Sequence, residues 1–300
     1  MKKNLKITFG IGTVALIGIG LVFIFSTQNK VIAPTLSEVI PVAPIIPQKP
    51  VVYHTLAFTT THPLKELGET IGKENVDITL RINRIDGTSL KKETILSVPD
   101  DFSNLEGFSP YPQTLSSASN TPKLIVVSQR IQAFGVYENG VLVKWGPVST
   151  GKKSTPTPSK LYFTNWKGKS VTSSIDDTWI MPWYFNLDNF EGVSMHEYAL
   201  PGYPASHACI RLLKDDAVWL YDWAEQWMLS TDKKSVLASG TPFIIFDTYN
   251  YIEKAPWKNL AEDAHAASVS EEELETVFSK YREIIEKKRV ERDAVLAGQN

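Results

Sequence analysis

The stretch from Met195 to Leu212, MHEYALPGYPASHACIRL, constrains the fold more than any other part of the 300-residue sequence. Pro201, Gly202 and Pro204 suit neither the interior of a helix nor that of a strand. The chain must therefore form a loop here, held between regular elements on either side.

This loop contains the only cysteine of the chain, Cys209. His196 and His207 precede it, and Arg211 follows it by two positions. A thiol reacts as its thiolate, so a working cysteine needs a base or a positive charge beside it. The clustering of these side chains makes Cys209 the candidate nucleophile.

The segment that follows Arg211, LLKDDAVWLYDWAEQW, is predicted to form a helix, with Asp215 and Asp216 in its first turn. Cys209 would then lie on a turn that approaches the N-terminus of this helix. The helix dipole would stabilise its thiolate further.

Three other interpretations of Cys209 compete with that of a nucleophile. A lone cysteine is commonly an inert, buried apolar residue. A zinc site built from His196, His207 and Cys209 would lack an obvious fourth ligand and the close ligand pairs of structural sites. A disulfide within the chain is impossible with one cysteine.

The motif Ser206-His207-Ala208-Cys209-Ile210-Arg211-Leu212, with His196 before it, resembles the signature of the L,D-transpeptidase catalytic domain. Upstream, KLIVVSQRI and YENGVLVKWGPVSTGKKSTPTPSKLYFTNWK are similar to the opening hairpin and STG…TPTP segment of that domain. GTPFIIFD, from residue 240 to 247, is similar to its closing strand. The resemblance covers residues 122–249.

Two residues depart from the family pattern. Glu197 replaces the glycine that usually follows the first histidine, and Ala208 replaces the glycine of His-Gly-Cys. The alanine leads us to expect a backbone at 208 that does not need a strongly positive φ.

The resemblance implies a mainly β fold, an L,D-transpeptidase-like β-sandwich with a few helices. It also implies a reaction in which Cys209 attacks the carbonyl of the third residue of a peptidoglycan stem peptide and releases the terminal D-alanine. An amine, usually on a neighbouring stem, then accepts the acyl group. Members of the family are acylated by carbapenems, whose strained β-lactam carbonyl mimics the donor peptide bond.

The resemblance also assigns roles to residues of the motif. His196 would be the acid/base partner of Cys209, and the backbone N–H groups of His207, Ala208 and Cys209 would form the oxyanion hole. His207 and Ser206 would hold the loop. Arg211 and Tyr203 are the expected substrate-binding residues, although Arg211 could equally pair with a carboxylate within the fold. No metal or organic cofactor is implied.

The N-terminus predicts a membrane anchor over residues 1–29. Residues 7–25 are a charge-free run of 19 residues behind three lysines, and a membrane-spanning helix needs about 20. No cleavage site of the signal-peptide type follows Phe25, which favours an uncleaved anchor. The basic N-terminus would stay in the cytoplasm, which places the catalytic part in the cell envelope, outside the cytoplasmic membrane. Residues 30–54 form a proline-rich, extended spacer.

Residues 55–102 are predicted to form a small α/β unit with two short helices and an exposed strand, TILSVP. NRIDGTSLKKETILSVP weakly resembles the C-terminal part of a LysM module, the small fold that grips peptidoglycan glycan. The start of the segment lacks the usual strand. Glycan binding and a packing or spacer role both stay open.

The remainder divides into a linker over 103–121, the catalytic domain over 122–249 and a helical extension over 250–300. Strands at 123–127, 133–137 and 141–145 are expected, with Asn139-Gly140 as a hairpin turn. Lys152 and Lys153 would lie at a solvated loop tip rather than on a substrate rim. The aromatic run from Trp179 to Phe190 would pack in the core, with a groove wall as the alternative.

The extension is predicted to be a helix that begins at a capping box formed by Ser270 and Glu273. Apolar residues recur at helical spacing from Leu274 to Ile285. We expect this helix to dock on the catalytic domain, with binding of a partner protein as the alternative.

Two further function classes compete with the transpeptidase. A sortase is also an anchored cysteine transpeptidase, but its histidine lies much farther upstream of its cysteine. A non-catalytic peptidoglycan-binding envelope protein would explain Glu197 and Ala208 as traces of lost activity. The net charge of −2 shows no basic excess for nucleic acid.

Overall fold

The protein is described from a computed structural model, which covers residues 50–173 and 176–298. The predicted anchor and nearly all of the proline-rich spacer lie outside these residues. Within them, no helix combines the length and the apolar composition that crossing a bilayer requires. The described residues belong to one compact unit, so the segments predicted as LysM-like, linker, catalytic and C-terminal pack together.

The elements follow one another in chain order, with short 3₁₀ turns between some of them. The strands are β1 (Tyr53–Ala57), β2 (Ile95–Pro99), β3 (Leu124–Ser128), β4 (Ala133–Glu138), β5 (Val141–Ser149), β6 (Leu161–Phe163), β7 (Lys167–Thr172), β8 (Ile180–Asp188), β9 (Val193–Glu197), β10 (Ile210–Leu212), β11 (Met228–Leu229), β12 (Val236–Ala238) and β13 (Pro242–Phe246). The helices are α1 (Pro63–Ile71), α2 (Val76–Ile82), α3 (Lys214–Trp223), α4 (Glu271–Ser279) and α5 (Arg282–Ala297).

A nine-stranded sheet in the order β6-β13-β3-β4-β5-β10-β9-β8-β7 dominates the molecule. The mainly β prediction is confirmed. The expected sandwich is instead one continuous sheet, because β10 pairs with β5 on one side and with β9 on the other and so joins the two halves. The sheet curls enough that β6, at one end, contacts β8 near the other.

The curled sheet separates two apolar cores, as the strand period of two requires. In β3, Ile125 and Val127 point into a core that also holds Phe185 of β8 and Leu220 of α3. Leu124 and Val126 point to the opposite face, where the C-terminal segment covers them. Strands buried on both faces need a continuous apolar run, which is what the sequence LIVV supplies.

The predicted hairpin is confirmed by β4 and β5. Asn139 and Gly140 both have positive φ, 48° and 78°, as a two-residue turn of the mirror-image type requires. The predicted closing strand is also confirmed, since β13 pairs in parallel with β3.

The N-terminal unit is a strand–helix–helix–strand arrangement in which β1 pairs antiparallel with β2. The expectation that the segment lacks an opening strand is wrong. The expectation of an exposed strand is also wrong, because only Ile95 of β2 is exposed and the following four residues are buried. Strand β1 was hard to foresee because its sequence, YHTLA, has little apolar alternation.

This unit docks on the rest of the chain through polar contacts. The Arg84 guanidinium, only 3% exposed, donates from Nε to the Ile131 carbonyl at 2.8 Å. Arg81 reaches the wholly buried carboxylate of Asp216 at 2.7 Å, and Lys144 approaches the same carboxylate at 2.9 Å. Asp86 bonds with Leu200 through both its backbone N–H and its carboxylate. The unit therefore contacts the loop that leads to Cys209.

The C-terminal extension forms two helices where one was predicted. The helix is interrupted at Lys280 and Tyr281, between α4 and α5, where Tyr281 has a φ of −117°. Docking on the catalytic domain is confirmed by the burial of Leu274, Phe278 and Ile285. Ser270 caps α4 by accepting from the Glu273 N–H at 3.1 Å, whereas the Glu273 carboxylate pairs with Arg130 at 2.8 Å instead of completing the capping box.

Candidate active site

A cavity of about 170 Å³ surrounds Cys209 on the curled sheet. Five of its lining residues, Cys209, His196, His207, Ser206 and Arg211, come from the predicted motif. The others are Ser173, Trp179, Ile180, Met181, Tyr184, Gly192, Ser194 and Tyr198. Sequence reasoning therefore located the site but named only part of its wall.

Two neighbouring parallel strands present the histidine and the cysteine. His196 lies in β9 and is opposite Arg211 of β10. The loop of residues 198–209 joins the two strands, so Cys209 is delivered at the start of β10, beside the strand that carries His196. Pairing on both sides of β10 fixes this start.

Ala208 corrects one expectation about the backbone. Its φ is 79°, in the region that favours glycine. The chain needs this conformation to place Cys209 at the start of β10, so the alanine occupies the strained backbone that the usual glycine would adopt without cost.

The predicted position of the thiol beside a helix is also wrong. Strand β10 intervenes between Cys209 and α3, because Ile210 and Leu212 are drawn into the sheet and buried there. Asp216 does lie in the first turn of α3 as expected, but it serves as the buried partner of Arg81 and Lys144. Because Cys209 does not lie at the N-terminus of α3, we do not expect the helix dipole to stabilise its thiolate.

The Cys209 thiol is half-buried and has two polar neighbours. Its sulfur lies 3.1 Å from the Ser194 hydroxyl oxygen and 3.5 Å from the Gly192 carbonyl oxygen. Burial raises the pKa of the thiol above its ordinary value, although the Ser194 hydrogen bonds and the charge of Arg211 act to lower it. The resting group is therefore a thiol at neutral pH rather than a preformed thiolate.

His196 is 5% exposed and has a defined tautomer. Its Nδ1 lies 2.9 Å from the Glu197 carbonyl oxygen, which can only accept, so Nδ1 carries the proton and Nε2 is left as the basic nitrogen. Burial lowers the pKa of His196 to about 4. The imidazole is neutral at pH 7 and able to take a proton on Nε2.

The STG…TPTP segment supports the cysteine loop from behind. The N–H of Ser206 donates to the Thr150 carbonyl at 3.0 Å, and the N–H of Lys152 donates back to the Ser206 carbonyl at 2.9 Å. The Thr157 hydroxyl accepts from the Gly151 N–H at 2.8 Å and donates to the Ala208 carbonyl at 2.9 Å. The Ser206 hydroxyl donates to the Cys209 carbonyl. These bonds hold the turn around Ala208.

His207 and Lys152 meet at the rim of the cavity. The Lys152 ammonium lies 2.8 Å from His207 Nε2, and the His207 ring contacts Trp179 with ring centres 5.1 Å apart. Burial, followed by the charges of Lys152 and Arg211, lowers the pKa of His207. Lys153 is exposed, as predicted for a solvated tip, whereas Lys152 is partly buried against His207, which lines the cavity.

Arg211 lies inside the cavity without an acidic neighbour. Its guanidinium carbon is 4.5 Å from the centre of the Tyr198 ring. In the part of the chain that the structure describes, the groups acting on its charge are Tyr198, Cys209 and Tyr203, none of them a carboxylate. Burial lowers the pKa of Arg211, but the group stays cationic at neutral pH. Of the two sequence interpretations, pairing with a carboxylate within the fold is not seen among the described residues.

Tyr203 is the predicted site residue that the structure places elsewhere. Its side chain is 54% exposed and lines a separate cavity of about 810 Å³ between the N-terminal unit and the segment around Trp257. The backbone of Tyr203 still supports the loop, because its carbonyl accepts from the Ser149 hydroxyl at 2.8 Å.

The aromatic run after Trp179 serves both of the predicted purposes. Trp179 and Tyr184 line the cavity, whereas Phe185 and Leu187 are buried in the core.

Ser194 was not predicted as a site residue, although the period of two along β9 places it on the same face as His196.

The alternative zinc site is not formed. Among residues 50–173 and 176–298, no three His, Cys, Asp or Glu side chains are grouped so that they could hold a metal ion.

Comparison with known proteins gives a family match over the catalytic region. Residues 122–245 match the family model described as the L,D-transpeptidase catalytic domain. No match is found among curated proteins.

Similar solved structures include an L,D-transpeptidase from Mycobacterium smegmatis, with 22% identity over 42% of this chain and 59% of that chain, and a TM-score of 0.34. One from Stackebrandtia nassauensis has 22% identity over 43% of this chain and 57% of that chain, with a TM-score of 0.35. An L,D-transpeptidase from Mycobacterium tuberculosis has 18% identity over 66% of this chain and 91% of that chain, with a TM-score of 0.34. The match with the first two spans less than two thirds of their length.

Proposed function

We propose that this chain, whose residues 122–245 match the L,D-transpeptidase catalytic domain, is a peptidoglycan L,D-transpeptidase with Cys209 as its nucleophile. The observation that carries the proposal is the meeting of Cys209, the neutral base His196 and the cation Arg211 in one cavity inside the matched region. Acyl transfer to and from a charged peptide needs a nucleophile, a base and a group that binds the charge, and the three residues supply one each.

In the first half of the reaction, the Cys209 sulfur attacks the carbonyl carbon of the donor peptide bond and passes its proton to His196 Nε2. The tetrahedral intermediate collapses, the C–N bond breaks, and the leaving amine takes the proton from Nε2. The product is a thioester between the donor and Cys209. Because burial favours the neutral form of both resting groups, the thiolate forms only as its proton passes to His196.

In the second half, an acceptor amine attacks the thioester carbonyl and gives a proton to His196 Nε2. Collapse of the second intermediate forms the new peptide bond and expels the Cys209 thiolate, which recovers the proton from His196. The hydrogen bond from Nδ1 to the Glu197 carbonyl keeps the imidazole in one orientation throughout and supports the transient imidazolium.

The turn at Ala208 directs a backbone N–H group to where an oxyanion hole would lie. The Ala208 carbonyl accepts from Thr157, and in a trans peptide the following N–H, that of Cys209, points the opposite way. The Cys209 N–H is thus directed away from the loop that supports it. There it could donate to the oxygen that becomes negative in the tetrahedral intermediate.

Arg211 is proposed to bind a substrate carboxylate. Burying a guanidinium without a carboxylate beside it costs free energy, which a ligand that supplies the carboxylate would offset. A stem peptide ends in a carboxylate, so a donor bound beside Cys209 would provide the missing partner.

Glycan binding is proposed for the cavity that Tyr203 shares with the N-terminal unit. This cavity adjoins the loop that carries Cys209. Hydroxyl, amide and lysine side chains line the cavity, as an oligosaccharide would require. The lining includes Thr55, Thr88, Thr94, Lys91 and Lys258. With the anchor predicted over residues 1–29, this arrangement would hold the active site at the peptidoglycan layer.

Sedimentation of the intact Cys209→Ala protein with insoluble peptidoglycan, compared with the same protein carrying Tyr203→Ala, tests this assignment. Equal sedimentation of both would contradict it.

Incubation of the protein with purified muropeptides, followed by mass spectrometry, tests the proposed reaction. We expect tetrapeptide donors to lose their terminal D-alanine and to gain a covalently linked acceptor, with Cys209→Ala inactive. A protein that binds peptidoglycan without altering any stem peptide would instead support the non-catalytic alternative.

A further inference from the structure

Ser194 stands directly beside the reacting sulfur, outside the motif that identified the site. Its hydroxyl oxygen is 3.1 Å from Cys209 Sγ, and its side chain is 1% exposed. It precedes His196 by two residues in β9, so both side chains leave the same face of the strand. The thiol therefore has a buried hydroxyl on one side in addition to the proposed base.

The direction of this hydrogen bond follows from the other neighbours of the sulfur. The Gly192 carbonyl oxygen, 3.5 Å from Sγ, can only accept, so the thiol proton points toward it. The sulfur is then the acceptor of the Ser194 hydroxyl proton. Once Cys209 has lost its proton, the thiolate can only accept, so the same direction is retained.

A second set of contacts fixes Tyr184, which lines the same cavity. Asn165 donates from Nδ2 to the Leu187 carbonyl at 3.1 Å and to Asn186 Oδ1 at 3.0 Å, so the Asn186 amide nitrogen faces Tyr184. Asn186 Nδ2 donates to the Tyr184 hydroxyl oxygen at 3.0 Å. These bonds hold the Tyr184 ring in place at the cavity wall.

We infer that Ser194 is a positioning residue that stabilises the Cys209 thiolate during acyl transfer. Its hydroxyl lies 3.1 Å from the sulfur and donates to it. No bond to Ser194 is made or broken, and its hydroxyl keeps its proton while His196 takes that of the thiol. Hydrogen bonds to a charged atom in a buried site are stronger than those between neutral groups, so the effect is largest when the thiolate forms.

The groups that face the thiol from every side are few. His196 and Ser194 come from β9, Tyr184 from β8, and His207 and Arg211 from the loop and strand around the cysteine itself. Arg211 is the cation among them, and its charge also acts to lower the pKa of the thiol. Removing Ser194 leaves all of these charges in place, so its contribution can be isolated.

The test is the pH dependence of Cys209 alkylation by iodoacetamide, followed by intact-protein mass spectrometry. In Ser194→Ala we expect the midpoint to rise by about one pH unit and the alkylation rate at pH 7 to fall by about tenfold, because one pKa unit is a tenfold change in thiolate fraction. Ser194→Thr keeps the hydroxyl and should retain the wild-type midpoint.

Tyr137→Phe is the control for the loss of a buried hydroxyl elsewhere in the protein. It removes a buried hydroxyl that donates to the Pro112 carbonyl at 2.8 Å, remote from the cavity, and should leave the midpoint unchanged. An unchanged midpoint in Ser194→Ala, or an equal rise in Ser194→Thr and Ser194→Ala, would overturn the inference. The term acyl transfer rests on the proposed function, whereas the alkylation test does not depend on it. If the wild-type protein is alkylated as expected but leaves muropeptides intact, only the transpeptidase proposal is refuted.

Discussion

His196 and Cys209, the two groups proposed to exchange a proton, are both driven by burial toward their neutral forms. This has a consequence for stability. An unfolded chain binds a proton at His196 near the ordinary pKa of about 6.5, whereas the folded protein does so only at about 4. Between these values the unfolded state holds more protons, so stability falls as the pH falls.

We therefore expect His196→Gln to remove part of the acid destabilisation. From pH 7 to pH 4.5, wild type should lose about 2 kcal/mol more stability than the variant. Urea unfolding at the two pH values measures this difference. Equal losses in both proteins would show that His196 is not held neutral by burial.

Ala208 adopts a φ of 79°, which costs a residue with a Cβ roughly 1 kcal/mol. Ala208→Gly should raise the free energy of unfolding by about 1 kcal/mol, because glycine removes this strain. Ala205→Gly, in the same loop but without a positive φ, should lower it by about 0.5 kcal/mol. Two glycine variants that are destabilised alike would contradict the strain at Ala208.

Cys209, His196, His207, Ser206 and Arg211, all taken from the sequence motif, line the same cavity because they lie on two adjoining strands and the loop between them. Ser194 was missed because the motif does not include it, although the alternation along β9 places it on the face of His196. The contact of Lys152 with His207 was missed because it depends on a loop that is distant in sequence. The helix start was placed too close to Cys209, since a three-residue strand such as β10 leaves almost no periodic signal.

The loop between β5 and β6 is the element that supports the reacting turn, and Thr157 is its central contact. Thr157→Val keeps the shape but leaves the Gly151 N–H and the Ala208 carbonyl without their partner. We expect a loss of about 2 kcal/mol in stability and a marked fall in Cys209 acylation. Thr172→Val, at an exposed position of β7, is the control and should change neither. Unimpaired acylation in Thr157→Val would show that the loop does not hold the turn.

Strands with a continuous apolar run or a strong turn signal were predicted correctly, as in β3, β4, β5 and β13. Strand β1 was missed because what makes it a strand is its pairing with β2, some forty residues later in the chain. The break between α4 and α5 was missed because the apolar spacing runs through Tyr281 without interruption.

The molecule as a whole depends on the N-terminal unit being docked, through the Arg81–Asp216–Lys144 cluster. Arg81→Leu would leave a wholly buried carboxylate with one cation instead of two. We expect a loss of about 3 kcal/mol in stability. Arg289→Leu, which breaks exposed pairs on α5, should cost far less, because exposed ion pairs are screened by solvent. Similar losses in the two variants would mean that the cluster does not fasten the unit.

The central proposal is that Cys209 forms an acyl-enzyme with His196 as its acid/base partner, and intact-protein mass spectrometry after mixing with a carbapenem tests it most directly. Wild type should gain the mass of one drug molecule. Cys209→Ala should gain none, and His196→Ala should react about 10²- to 10⁴-fold more slowly, the usual effect of losing a general base. A wild type without an adduct, or an adduct that persists in Cys209→Ala, would contradict the proposal.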